Sequence, residues 1–324
     1  MAGSWASRLK PSGRRLMKDV RELLHDHKTQ PGLTNLDNEG YVKSDGFDIA
    51  WFEVGPEDAE ATVVFIHGYC LSAESYCDQV EFLRREHPEV RSVLLDVRGH
   101  GLSEKVPVDE CDVDGAGDDV LAVIKERVPQ GNIVIVGHSL GGMIALNVIR
   151  RCPQEVYDRI SGALLVATSI HELSDKGIAR ILETTAAELL YNACLTLPDR
   201  VNFFRYELAH LVAPVMAALV AGFPQMERIQ FHAAMLLDTP LASFAGYFDD
   251  LLDHEELAAT PRLARLKGEV VVGSMDIVTP ESQTDRICDL WPAAEKTIVD
   301  GAGHMVILED PEAISQALER VLQA

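Results

Sequence analysis

Short apolar runs alternate with amphipathic stretches through most of the chain. The runs Ala61-Thr62-Val63-Val64-Phe65-Ile66, Val93-Leu94-Leu95-Asp96, Asn132-Ile133-Val134-Ile135-Val136 and Gly162-Ala163-Leu164-Leu165-Val166-Ala167 each read as a buried strand. Two more, Glu269-Val270-Val271-Val272-Gly273 and Glu295-Lys296-Thr297-Ile298-Val299, follow late in the chain. Helical spacing falls between them, over 78–85, 118–128 and 143–149, and again at Ile314, Leu318, Val321 and Leu322. Ahead of all these, Pro31-Gly32 and Asn38-Glu39-Gly40 read as turns, then strands over 41–43 and 47–54. Strands that alternate with helices predict an α/β fold: a mostly parallel central sheet with helices on both faces.

From about Ser169 to Thr260 the alternation stops and only helical patterns remain. One runs through Ile178, Ile181, Leu182, Leu189 and Leu190, and a second from Phe203 and Phe204 to Leu219 and Val220. A third holds Met226, Ile229, Phe231, Met235, Leu236 and Leu237. His210 and Pro214 interrupt the most apolar of these, which argues against membrane insertion, and Pro214 predicts a kink. The chain therefore divides into an N-terminal extension (1–39), an α/β core (40–168 and 261–324) and a helical insertion (169–260).

Charge separates the extension from the rest. Arg8, Lys10, Arg14, Arg15, Lys18 and Arg21 make it basic, and Leu16, Val20, Leu23 and Leu24 give it an apolar face. Such a helix suits peripheral contact with an acidic membrane, or docking on the protein's own acidic body. The formal net charge of −22 over 324 residues argues against nucleic acid as a partner. The clusters 109–114 and 249–256 lack the spacing of a metal-binding loop. Cys70, Cys77, Cys111, Cys152, Cys194 and Cys288 show neither paired nor zinc-type spacing. With no signal peptide and no membrane-length apolar window, reduced thiols and a cytoplasmic location are expected.

Chemistry is concentrated at strand ends. Gly137-His138-Ser139-Leu140-Gly141 lies between an apolar run and a helical stretch. A G-x-S-x-G pentapeptide there predicts a sharp strand-to-helix turn that presents the serine hydroxyl. A serine needs a base and a group to orient that base. Asp276 follows the run that ends at Gly273, and His304 follows the run that ends at Val299. The expected nucleophile, acid and base are thus Ser139, Asp276 and His304, in that chain order. Taken singly, Asp276 reads equally as a cap for the helix after Thr279-Pro280, and His304 as a loop histidine. Asp300 is a competing acid, better read as a turn residue. His67-Gly68-Tyr69 ends another strand, so the backbone amides of Tyr69 and Leu140 are expected to form an oxyanion hole. Cys70 and the Tyr69 side chain are candidates to line the acyl pocket.

With His67-Gly68, 96–103, 137–142, 273–276 and 301–304 in place, the chain resembles an α/β-hydrolase-fold serine hydrolase, of the capped esterase, lipase and haloperoxidase-like kind. That resemblance implies that 169–260 is a helical cap over the site, and that Arg98 and His100 brace the surrounding loops. It implies a small hydrophobic ester as substrate, with no metal and no organic cofactor. Relatives that use aspartate in place of the serine, the dehalogenases and epoxide hydrolases, are excluded by Ser139. Carbon–carbon bond hydrolases, thioesterases, acyltransferases and cofactor-free perhydrolases share the same three residues. A slow-turnover ligand receptor, and an idle scaffold, also fit the fold.

Overall fold

The computed structural model describes residues 32–172 and 226–323. Eight strands form one sheet: β1 (Asn38–Ser44), β2 (Phe47–Val54), β3 (Ala61–Ile66), β4 (Arg91–Leu95), β5 (Asn132–His138), β6 (Ile160–Val166), β7 (Lys267–Gly273) and β8 (Ala294–Val299). Their order across the sheet is β1-β2-β4-β3-β5-β6-β7-β8. β1 pairs with β2, and β2 with β4, in antiparallel fashion; every other pairing is parallel. The expected α/β-hydrolase fold is thus observed, with an antiparallel hairpin added at one edge.

That hairpin turns on Asp45 and Gly46, both at positive φ (49° and 90°), a two-residue connection suited to the twist of paired strands. Asn38-Glu39-Gly40, expected as a turn, is instead the start of β1 and pairs with Trp51–Glu53 of β2. Gly40 is there for space: a Cβ on it would lie 2.7 Å from the Trp51 ring. A glycine chosen for packing reads in sequence like one chosen for a turn.

Parallel strands need crossovers, and helices supply them. On one face lie α1 (Cys77–Glu86) and α6 (Pro311–Gln323); on the other lie α2 (Val113–Arg127) and α3 (Leu140–Arg151). Alternate residues of β5 feed the two cores, Ile133 and Ile135 into one, Val134 and Val136 into the other. Both faces are therefore dry, which explains why these strands read as unbroken apolar runs. α2 begins five residues before its expected start at Asp118. Asp112 caps it by accepting the N–H of Gly115, and Gly115 and Gly117 lie inside the helix because Arg98 and Asn147 press against them.

Between β6 and β7, the described residues 226–263 hold helices and no strand, among them α4 (Met226–Asp238). The first two helical patterns of the insertion, with Cys194, His210 and Pro214, lie outside the described residues, as does the basic stretch of the extension. After β7 comes α5 (Glu281–Leu290), packed near β7 and β8. Among the described residues no helix is long and apolar enough to cross a membrane.

Candidate active site

β5 ends at His138 and α3 begins at Leu140, so Ser139 alone makes the turn, at φ 53° and ψ −120°. This left-handed backbone costs energy for a residue with a side chain, of order 1–3 kcal/mol, and persists only where neighbours enforce it. Here they do. Ser139 N–H donates to the Val166 carbonyl, and its own carbonyl accepts from Thr168 Oγ1 at 2.8 Å. The glycines at either side are obligatory: a Cβ on Gly137 would lie 2.3 Å from the Gly141 carbonyl, and one on Gly141 2.1 Å from the Ile66 carbonyl.

The structure brings the three expected side chains together. Ser139 Oγ lies 2.9 Å from His304 Nε2, and His304 Nδ1 lies 2.9 Å from Asp276 Oδ2. A carboxylate only accepts, so Nδ1 carries the proton and Nε2 is left to accept from the serine hydroxyl. All three residues are buried. Asp276 also closes its own turn, accepting the amides of Val278 and Thr279 on Oδ1, but it does not cap the helix that follows, which starts after Pro280 with no side-chain cap. Burial works against its charge, but the His304 imidazole and the hydrogen bonds from His304 and Thr279 outweigh it and hold the carboxyl below the ordinary range. Asp300 is exposed and lies 3.4 Å from Ser274 Oγ, in the turn role expected of it.

The loops that carry acid and base are tied together. Ser274 N–H donates to the Val299 carbonyl and Met275 N–H to the Ala302 carbonyl. Glu309 accepts the amides of Gly303 and Met305, one on each oxygen, and so clamps the residues on both sides of His304. His138 Nε2–H donates to the His304 carbonyl at 2.9 Å. Burial, then the neighbouring His304, lowers the His138 pKa to about 3; the same two causes lower His232, on α4, to about 3. Both imidazoles are therefore neutral at pH 7 and place no competing positive charge beside His304.

Leu140 is the first residue of α3, so its amide has no acceptor within that helix and points with the positive end of the helix dipole. The loop after β3 approaches the same turn closely: a Cβ on Gly68 would lie 2.6 Å from His138 Nδ1. Two histidines staple that loop. His67 Nδ1 donates to the Gly68 carbonyl while Nε2 accepts from Val97 N–H; His100 Nδ1 donates to the Arg98 carbonyl while Nε2 accepts from Cys70 N–H. Arg98 is buried and forks onto Asp119 with contacts of 2.8 and 2.7 Å. Tyr69 is drawn toward the helical region, its hydroxyl donating to the Phe244 carbonyl and its ring 5.5 Å from that of Phe244. Cys70 is buried at positive φ (58°). Met275 and Ile277, each 61% exposed, flank Asp276 and give the loop apolar edges. Among the described residues no three His, Cys, Asp or Glu side chains converge as a metal ion requires.

Thr279, His138 and Glu309 are parts of this site that sequence reasoning missed. Thr279 had a signal, three residues after an acid and just before a proline. His138 sat in the quoted pentapeptide without a role. Glu309 left none, because its partners become neighbours only when the loop folds back.

The profile of the Alpha/beta hydrolase family matches residues 63–317. The dihydrolipoyllysine-residue acetyltransferase component of the acetoin cleaving system of Pseudomonas putida is 27% identical over 270 residues, 83% of this chain and 65% of that protein. A bifunctional esterase/perhydrolase of Acinetobacter calcoaceticus is 39% identical over 129 residues, 40% of this chain and 44% of that protein. The chain thus spans less than two thirds of the length of both curated relatives. Among solved structures, a thermophilic esterase from Thermogutta terrifontis superposes with a TM-score of 0.69 at 22% identity, over 90% of this chain and 98% of that one. At that identity the likeness speaks for the fold.

Proposed function

This chain belongs to the alpha/beta hydrolase family, and we propose that it is a serine hydrolase cleaving a small hydrophobic carboxylic ester through an acyl-enzyme. One observation carries the reading: the hydrogen-bonded line from Ser139 Oγ through His304 to Asp276, with both contacts at 2.9 Å. In this reading His304 Nε2 takes the hydroxyl proton as Ser139 attacks the carbonyl carbon. Asp276 fixes the tautomer and stabilises the imidazolium. Charge develops on the carbonyl oxygen, where the amides of Leu140 and Tyr69 receive it; each such donor is worth about 3–4 kcal/mol at the transition state. His304 then protonates the leaving alkoxide, activates a water against the acyl-enzyme and returns the proton to Ser139.

The apolar substrate is supported by Met275 and Ile277, exposed on either side of Asp276. The helical cap belongs to this reading as a proposal for residues 169–260, of which 173–225 lie outside the described residues. The acyl-enzyme is common to several outcomes that differ only in the acceptor. Hydrogen peroxide in place of water gives a peracid, and the named activities of the Acinetobacter relative favour that as a second reading.

The test is Ser139→Ala in the full chain. Fluorophosphonate labelling and hydrolysis of short-chain aryl esters are expected to vanish, with the thermal midpoint unchanged. Undiminished turnover would remove Ser139 from the mechanism. A panel of esters graded in chain length, with thioesters, vinylogous diketones and added peroxide, then identifies scissile bond and acceptor. Labelling without multiple turnover on any of them would mark a receptor.

A further inference from the structure

Asp276 is held by more than the imidazole it faces. Oδ1 accepts the backbone N–H of Val278 at 2.8 Å and of Thr279 at 2.9 Å. Oδ2 accepts the Thr279 hydroxyl at 2.8 Å and His304 Nδ1–H at 2.9 Å. Thr279 therefore grips both carboxylate oxygens, one with its amide and one with its hydroxyl. The same Oγ1 stands 3.3 Å from His304 Nδ1. A hydroxyl has one proton and two lone pairs, so it can donate to the carboxylate and still offer a lone pair to the imidazole N–H. Carboxylate, hydroxyl and imidazole form a closed set, and Thr279 is 1% exposed, out of reach of competing water.

We infer that Thr279 is a positioning residue for the Asp276–His304 pair, fixing the plane of the carboxylate so that Oδ2 meets Nδ1. The torsion about the last bond of an aspartate side chain is broad, so two amides on Oδ1 alone leave Oδ2 free to swing. The Thr279 hydroxyl closes that freedom. Its own direction is preset, because a β-branched side chain has few rotamers and its backbone is already tied to Oδ1. The Nδ1–H then has two acceptors in one place, which disfavours the tautomer and the ring flip that would turn a proton toward Ser139. A proton on Nε2 would make His304 useless as a base, so this contact acts on turnover and not on substrate binding. The inference rests on the hydrolytic role proposed for Ser139, His304 and Asp276.

The experiment compares Thr279→Val, which removes the hydroxyl at nearly constant volume, with Thr279→Ser, which keeps it, on the full chain. Steady-state aryl-ester kinetics, the rate of fluorophosphonate labelling and the thermal midpoint are measured for both, with Ser139→Ala alongside. For Thr279→Val, kcat and the labelling rate are expected to fall by roughly 10-fold to 100-fold, as small misplacements of reacting groups do, with KM within about twofold of the parent. Thr279→Ser is expected to restore kcat to within about threefold. Equal kcat in Thr279→Val and the parent, while Ser139→Ala is dead, overturns the role of Thr279 and leaves the hydrolase reading standing. So does a Thr279→Ser variant as impaired as Thr279→Val, or a loss confined to KM. If Thr279→Val fails to fold, Thr279→Ala takes its place: a kcat equal to the parent's overturns the inference, and a kcat lowered about 10-fold or more that Thr279→Ser restores upholds it.

Discussion

Ser139 keeps its strained backbone because Gly137 and Gly141 leave no side chain for the turn to strike. Gly141→Ala would drive a Cβ to 2.1 Å from the Ile66 carbonyl and 2.6 Å from that of His67, both backbone atoms that cannot yield cheaply. Overpacking of this kind typically costs about 1–3 kcal/mol, and here it falls on the loop that carries Tyr69. Urea unfolding of this variant is expected to show a loss in that range, with ester turnover nearly abolished even where the protein remains folded. Ser139, Asp276 and His304 could be read from sequence because each follows an apolar run, and a strand end is where parallel-sheet proteins place their chemistry. Thr279 and His138 could not be assigned so easily. One needs a carboxylate folded back over three residues, and the other a carbonyl on a loop from a different strand, and neither leaves a periodic trace.

Elements do their work here chiefly through the loops they hold. The loop between β8 and α6 has Glu309 beneath it, with one carboxylate oxygen for Gly303 N–H and the other for Met305 N–H. Glu309→Gln keeps the shape but turns one acceptor into a donor, leaving an amide facing an N–H. Such an unmet group costs about 1–3 kcal/mol. A lower thermal midpoint and a reduced kcat at near-constant KM are expected; an unchanged kcat would show that His304 needs no such clamp. The inner strands β3 to β7 were legible as elements, since both faces of the sheet are covered there and polar residues are rare in them. Helix starts were less so. α2 starts at Val113, ahead of the helical spacing over 118–128, and the glycines in its first turns, Gly115 and Gly117, admit Arg98 and Asn147. A glycine records missing volume without saying whether backbone or neighbour requires it.

For the molecule as a whole, buried histidines set the response to acid. Burial lowers the pKa of His67, His138 and His232 to about 3, and of His100 and His254 to about 4, from an ordinary 6.5. Below pH 6.5 the unfolded chain binds protons that the folded chain refuses, so each such group destabilises the fold as pH drops toward its folded value. The slope is about 1.4 kcal/mol per pH unit for each proton. Asp96, raised by burial to about 7, works in the opposite sense between 3.8 and 7 and offsets one histidine. Asp276, lowered, loses its contribution only at the acid end of the carboxylate range. Set against a typical net stability of about 5–15 kcal/mol, the balance predicts cooperative unfolding between roughly pH 6 and 4. Circular dichroism across that range checks it; a midpoint below pH 3.5 would mean that these imidazoles do not resist protonation in the folded chain.

Ser139 leaves the sheet on β5, whereas Asp276 and His304 leave it on β7 and β8, which enter the chain only after residue 266. During synthesis, then, the alcohol emerges from the ribosome well over a hundred residues ahead of the imidazole proposed to deprotonate it. On the proposed chemistry an unfinished chain is an inert one. Premature termination between residues 139 and 304 would yield a chain that holds the serine without its histidine, harmless to the esters around it.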